Sequence, residues 1–406
     1  MVSTLIIIPV IIILLIFLYN RKINPHKKNN ITEMYAEGLD MLVSGKRIAA
    51  YNNFKSIIKK DSNNIKSYIR LGQVLREGSS PEKALKIHKS LLLRKKMSSH
   101  ELIELHKNIA LNYFSLDNYR RSILEAKKIL DIEKDNDWAI YHLITLYKID
   151  NNWKESTEFL KLYFDKTGKR DNHKLALYKI QNARMEIHKK NFENSRSILE
   201  RALNIDDSLP LVYYFMGKTY SEESSVDYDK AIELDKKGLN SLKDKEIYNG
   251  YIENAKKILS KAIPMWINFL ELDSDNSWLV LPLLKDALFA LDRYSELEDV
   301  LLKLLNLYPD NIEILASLAD YYSNKGEISK AIQIIEKAVS NNKNSLLIKL
   351  IRLKLTLQNL EDKKSVNSID DIINTFLKDT TSRINNDKKS NSDIKWIFNN
   401  NDVSID

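Results

Sequence analysis

A step of 34 residues constrains this chain more than any other feature in it. Gly38 and Gly72 are 34 apart, as are Ala50 and Ala84. Followed along the chain, the position first held by Gly38 falls at Gly72, Ala110, Ile144, Ala183, Gly217, Tyr251, Lys285, Ala319 and Leu353. Inserts of four residues before Ala110 and five before Ala183 are the only breaks in the step. A fixed period of this length marks a chain folded from stacked units, each burying its face against its neighbours. With 9 glycines and 7 prolines in 406 residues, the chain is too poor in turn residues for a sandwich, barrel or propeller. Neither G-x-G-x-x-G nor G-x-x-x-x-G-K-[ST] occurs, so phosphate-cradling loops are absent from the sequence. The expected class is all-α.

The residues around each step identify the unit. Tyr68-x-x-Leu71-Gly72-x-x-Leu75 is followed by Ala84 and then Leu91-Leu92. That spacing follows the tetratricopeptide pattern of two antiparallel helices, with small residues at Gly72 and Ala84 where the helices approach. Ala319-x-x-Tyr322, Gly326, Ala331 and Ala338 form a second good copy. Gly217-x-x-Tyr220 with Ala231 forms another, with a two-residue slip around Ser224-Ser225. The copies at Ile144, Tyr251, Lys285 and Leu353 are placed by register alone. The expectation is a right-handed α-solenoid of about eight to ten hairpins over residues 32–378. Ser98-x-x-Glu101 predicts a capping box opening one first helix, and Asp-Asn pairs at 135–136, 275–276 and 310–311 mark the joints between units. Residues 379–406 read as a polar tail with one short apolar patch, Ile394 to Phe398. That patch either docks back on the last helices through Trp396 or frays with the tail.

Met1 to Tyr19 carry no charged side chain, and Leu5 to Leu18 are almost all Ile, Leu, Val and Phe. This is long enough to cross a hydrocarbon layer of ~30 Å. Arg21, Lys22, Lys27 and Lys28 follow at once, with no acid among residues 1–30. Residues 1–20 are therefore expected to be an uncleaved transmembrane anchor, with 21–31 as a basic juxtamembrane linker on the cytoplasmic side. No Lys or Arg precedes the apolar stretch and no A-x-A follows it, against a cleaved signal. Removing those four cations from the formal charge of +8 leaves the rest of the chain near neutral, so the balance gives no nucleic-acid signal.

The search for chemistry returns little. There is no cysteine, which removes disulfides, thiolate metal sites and cysteine nucleophiles from this sequence. His100 to His106 fails the H-E-x-x-H spacing, because position 104 is Glu104 and the two histidines are six residues apart. His88 falls at a position normally filled by a large apolar residue and reads as a packed histidine between helices. No catalytic residue, metal or cofactor is assigned. Protein binding remains. The first helix of each such hairpin lines a groove, and the register places Gln73, Arg76, Leu111, Phe114, Trp138, Tyr141, Lys148, Tyr214 and Lys218 there. Aromatic and Arg side chains are strong anchors when a partner covers them. Packing between helices is the alternative for each aromatic.

The run Leu71-Gly72-Gln73-Val74-Leu75-Arg76, with Lys83-Ala84-Leu85-Lys86-Ile87-His88-Lys89-Ser90-Leu91, resembles a segment of the lipopolysaccharide assembly protein B family. That segment reads L-G-N-L-F-R, then R-A-I-R-I-H-Q-x-L, and the shared residues include Leu71, Gly72, Arg76, Ala84 and the unusual His88. The order of apolar segment, basic linker and first repeat is similar too. The resemblance implies a non-catalytic adaptor at the bacterial inner membrane, single-pass, with its solenoid on the cytoplasmic side. Its partners would be a membrane-bound ATP-dependent protease and the deacetylase of lipid A synthesis. The family also carries a rubredoxin-type knuckle needing two C-x-x-C pairs, for which this sequence supplies no cysteine. A generic membrane-anchored scaffold for another envelope complex is the competing expectation. No oligomeric state is assigned.

Overall fold

In this computed structural model, residues 31–94, 97–239, 241–341, 345–359, 363–378 and 392–399 are described. They form twenty α-helices and one short 3-10 turn, with no strand among them. The chain divides into two compact units, Met1–Leu146 and Tyr147–Asp406. The first holds α1 (Ile31–Val43), α2 (Arg47–Lys60), α3 (Ile65–Glu77), α4 (Pro81–Leu91), α5 (Ser99–Phe114), α6 (Tyr119–Ile132) and most of α7 (Asp137–Ile149). The second holds α8 (Trp153–Thr167), α9 (Asn172–His188), α10 (Phe192–Leu203), α11 (Pro210–Lys237), α12 (Leu242–Ser260) and α13 (Ala262–Leu272). After the 3-10 turn Ser277–Leu279 come α14 (Leu281–Ala290), α15 (Glu296–Leu307), α16 (Ile312–Asn324), α17 (Ile328–Asn341), α18 (Leu346–Asn359), α19 (Lys363–Lys378) and α20 (Ser392–Asn399). The expected anchor, residues 1–20, and its basic residues Arg21, Lys22, Lys27 and Lys28 lie outside the described residues. Among the described residues no helix is long and apolar enough to cross a membrane.

The 34-residue step reappears in the backbone. Seven residues with φ between 52° and 84° close the hairpins: Gly45, Ser79, Asp117, Asn151, Lys190, Asp292 and Gly326. Each lies seven residues past a position that the sequence register had marked. Only glycine adopts this left-handed conformation without cost, and Asn and Asp tolerate it best among the others. At every one, the following amide donates to the carbonyl five residues back, as from Asn191 to Glu186 (2.9 Å) and from Glu327 to Tyr322 (2.9 Å). These bonds satisfy the carbonyls that a helix end leaves open and turn the chain into the second helix.

Close approach follows from the small residues. A Cβ added at Gly72 would lie 2.1 Å from His88 Nε2, and one at Gly217 would lie 2.3 Å from Trp266 Nε1. The ring of the second helix therefore occupies the space that a side chain would need. Where Ala84 is replaced in register by Ser122 and Ser195, the hydroxyls donate to the carbonyls of Ala110 (2.9 Å) and Ala183 (3.1 Å), pinning the second helix to the first. The Ser98–Glu101 capping box forms at α5, and Asn136 and Asn311 accept from the amides of Ala139 and Ile314.

One hairpin is not where the register put it. A turn seven residues past Gly217, around Ser224-Ser225 where the sequence shows a two-residue slip, is absent, and α11 runs through it for 28 residues. The run Ser221 to Val226 contains no Gly, Pro or Asn to leave the helix, and the Ser224 hydroxyl instead donates to the Ala255 carbonyl (2.7 Å) of α12. Ala231, expected in a second helix, is buried in this continuous one. The long α11 then packs against both α12 and α13. The degenerate copy at Lys285 has a different explanation. Lys285 Nζ meets Asp320 Oδ2 at 2.6 Å, and Lys354 Nζ meets Asp320 Oδ1 at 2.8 Å and Asp370 at 2.7 Å. Burial opposes the charge on Asp320, but the two ammonium groups outweigh it and hold the carboxyl below its usual range.

Candidate functional site

In the first unit two of the residues shared with the resembled family, Arg76 and His88, are linked by hydrogen bonds through Asn112. His88 is fully buried beneath Gly72. Its Nε2 lies 3.0 Å from the Ile69 carbonyl and its Nδ1 lies 2.7 Å from Asn112 Nδ2. One ring nitrogen faces an acceptor and the other a donor, which fits the neutral imidazole with the proton on Nε2. Burial pushes its pKa down to about 4, as expected for a cation denied water. Arg76 Nη1 donates to Asn108 Oδ1 (3.1 Å) and Asn112 Oδ1 (3.4 Å). Gln73 accepts from Arg70 (2.8 Å) and donates to Glu77 (2.9 Å). Arg76 and Gln73 are half-buried, along a row of polar groups on first helices α3 and α5.

The other expected groove residues differ in what they offer. Leu111 is half-buried, and so is Phe114, whose ring lies 5.7 Å from that of His142. Trp138 stacks on His142 (4.6 Å, 22°), with Lys107 Nζ 5.3 Å from its ring. Tyr141 is exposed. Lys218 is within 4.0 Å of Glu222 on its own helix. Tyr214 has no open face: it is 5% exposed, packed against Phe215, Phe269 and Phe398. Burial pushes its hydroxyl up to about 12.

Sequence reasoning missed two buried polar pairs, one within a hairpin and one between neighbouring hairpins. His106 Nδ1 lies 2.6 Å from Glu125, and His142 Nε2 lies 3.0 Å from the Ser122 hydroxyl. Because Ser122 donates to the Ala110 carbonyl, its oxygen accepts from His142. Burial drives the His142 pKa down to about 4. Ser122 was findable, since it stands in register with Ala84, but nothing in the spacing signalled its histidine.

The second unit holds a groove that is already filled. The helix α20 lies against α9, about two hundred residues earlier in the chain, rather than against the last helices. Trp396 stacks on Tyr178 (5.5 Å, 25°) and meets the edge of Trp153 (5.5 Å, 71°). Phe398 reaches Tyr214 and Phe215, and Ile394 and Ile397 are fully buried. Lys148 Nζ is 6.0 Å from the Trp396 ring. Gln181 Nε2 (2.9 Å) and Arg184 Nη1 (2.6 Å) both donate to the Ile397 carbonyl. At the other end, His173 lies 3.0 Å from both Asp206 and Asp393. Partial burial opposes a charge on His173, but the bonds and charges of Asp393 and Asp206 hold its pKa above the ordinary value. The aromatic rings of α9 and α11 explain why the patch docks here.

Residues 312–345, covering α16 and α17, match the model of the tetratricopeptide repeat family. The chain carries a tetratricopeptide repeat. It is similar to lipopolysaccharide assembly protein B of Escherichia coli strain K12, and to that of strain O157:H7. In each case identity is 17% over 307 residues, 75% of this chain and 78% of the relative. Among solved structures it is similar to a tetratricopeptide repeat protein of Parabacteroides merdae, at 15% identity and a TM-score of 0.32, covering 80% of this chain and 98% of that one. Another is the C-terminal part of a tetratricopeptide repeat-containing protein of Cytophaga hutchinsonii, at 11% identity and a TM-score of 0.35, covering 77% and 97%.

Proposed function

We propose that this chain is a non-catalytic adaptor, anchored by residues 1–20 in the bacterial inner membrane with its repeats on the cytoplasmic side. It holds protein partners along the first helices of its repeats. The observation that carries the binding reading is α20: the first helices of the second unit hold a peptide segment through rings, a carbonyl and an ion pair. The similarity over 307 residues to lipopolysaccharide assembly protein B supports a role in control of lipopolysaccharide synthesis. So does the linked set of Gly72, Arg76 and His88. On this reading the adaptor joins a membrane-bound ATP-dependent protease to the deacetylase of lipid A synthesis. Gln73, Arg76 and Tyr141 are the first unit's best-placed contacts.

Co-purification from detergent-solubilised membranes tests this. The protease or the deacetylase should be recovered with the chain, and deacetylase abundance should change on depletion. Recovery of neither, with deacetylase levels constant, overturns it. The second reading is a scaffold for a different envelope complex. Recovery of other envelope proteins alone would select it.

A further inference from the structure

The groove on α9 and α11 is built around an occupant of defined chemistry. Its walls are aromatic: Trp153, Tyr178, Tyr214 and Phe215. Its far end carries two donors, Gln181 and Arg184, that converge on one carbonyl in the last turn of α20. A helix end leaves such carbonyls unsatisfied and carries partial negative charge, so an arginine placed there selects a helical ligand ending in the groove. Its near end carries His173, which meets a carboxylate in the ligand's first turn. An Ile pair three residues apart, with aromatic side chains between and after, completes the fit.

The occupant is poorly suited to being a permanent part of the core. It has eight residues, too few to hold a helix in water by itself. It follows a thirteen-residue polar stretch, 379–391, with one large aliphatic residue. Helix formation and docking are therefore one event, and occupancy is set by tethering, which supplies an effective concentration of about millimolar order. We propose that α20 is an exchangeable internal ligand: this groove binds short amphipathic helices of the pattern acid-Ile-x-aromatic-Ile-aromatic in partner proteins, and the chain's own Ser392–Asn399 closes it until such a helix displaces it. The inference rests on the protein-binding reading above and adds the ligand's chemistry and its regulation.

The test needs no outside partner. A fluorescein-labelled peptide of residues 392–399 is titrated by anisotropy against the full chain and against the full chain carrying Trp396→Ala and Phe398→Ala. The open variant should bind the peptide at least tenfold more tightly than wild type, and adding Arg184→Ala to it should weaken binding at least tenfold. Equal affinity for wild type and open variant overturns the proposal. So does absence of binding to an open variant whose circular dichroism matches wild type. Should the double variant misfold, a protease site placed within 379–391 of the wild-type chain decides the matter. After cleavage and dilution, the released segment should dissociate and the labelled peptide should enter. A segment that stays bound through repeated dilution identifies α20 as fixed structure and overturns the proposal. Either failure leaves the membrane co-purification result standing, so the two readings fall separately.

Discussion

A methyl group placed on Gly72 would put its carbon 2.1 Å from His88 Nε2. The ring cannot retreat without breaking its bonds to Ile69 and Asn112. Gly72→Ala should therefore lower stability by about 1–3 kcal/mol, the range for overpacking a filled interface, as read by urea melting. An unchanged midpoint would show that the ring is free to move. The same histidine sets a pH dependence. His88 and His142 both have pKa values near 4 in the fold, against an ordinary 6.5. The unfolded chain thus takes up protons below pH 6.5 that the folded chain refuses until about pH 4. The stability from keeping each ring neutral is fully present above pH 6.5 and is lost as pH falls through that window, at up to about 1.4 kcal/mol per unit for each ring. His88→Gln should lose less stability than wild type between pH 6.5 and 5. Comparing the two chains cancels His173, whose raised pKa acts in the opposite direction. Parallel pH profiles would show that His88 titrates normally in the fold.

Helices and their turns were the part of this molecule most open to reading, because a period is a property of residue types. The seven left-handed residues that close hairpins fall where the 34-residue step places them, even at Asn151 and Asp292, in copies too degenerate to recognise by motif, whereas Gly168 and Gly238, also at positive φ, lie off the step. What escaped was of two kinds. At Ser224 the turn that the step would place did not form, because a step in sequence cannot say whether a helix has any residue inclined to leave it. The His142–Ser122 and His106–Glu125 pairs escaped because they join side chains about twenty residues apart with no recurring spacing. A pair of glycine substitutions separates a turn from a through-running helix. Lys190 bears an ordinary side chain at φ 61°. Lys190→Gly should raise stability by about 0.5–1 kcal/mol, the relief of left-handed strain exceeding glycine's added freedom in the unfolded chain. Ser224→Gly should lower it by about 1–2 kcal/mol, from glycine within a helix and the lost bond to Ala255. Equal signs in thermal melts would mean that the 34-residue step implies the same structure at both sites.

At the scale of the whole chain, the contact least deducible from repeats is the one that spans the greatest sequence distance. Stacked repeats touch their neighbours, so most of their stability is local. The bond between His173 and Asp393 links residues 220 apart, that from Arg184 to Ile397 residues 213 apart, and neither can follow from any 34-residue step. The apolar patch from Ile394 to Phe398 was visible in the sequence, but its destination was not, because a short amphipathic segment carries no address beyond its own chemistry. The aromatic rings of α9 and α11 supply the address, together with a donor pair that closes the helix end. This predicts where the effect of losing the segment appears. In Trp396→Ala with Phe398→Ala, amide hydrogen exchange should speed up in α9 and α11, whose rings lose their cover, by a factor of ten or more. Amides of α1 to α6 should exchange at wild-type rates, since each repeat there draws its stability from its own neighbours. Exchange that accelerates equally throughout would show that the segment holds the chain as one cooperative body. Exchange unchanged in α9 and α11 would show that the groove keeps its structure without an occupant, ready to receive another helix.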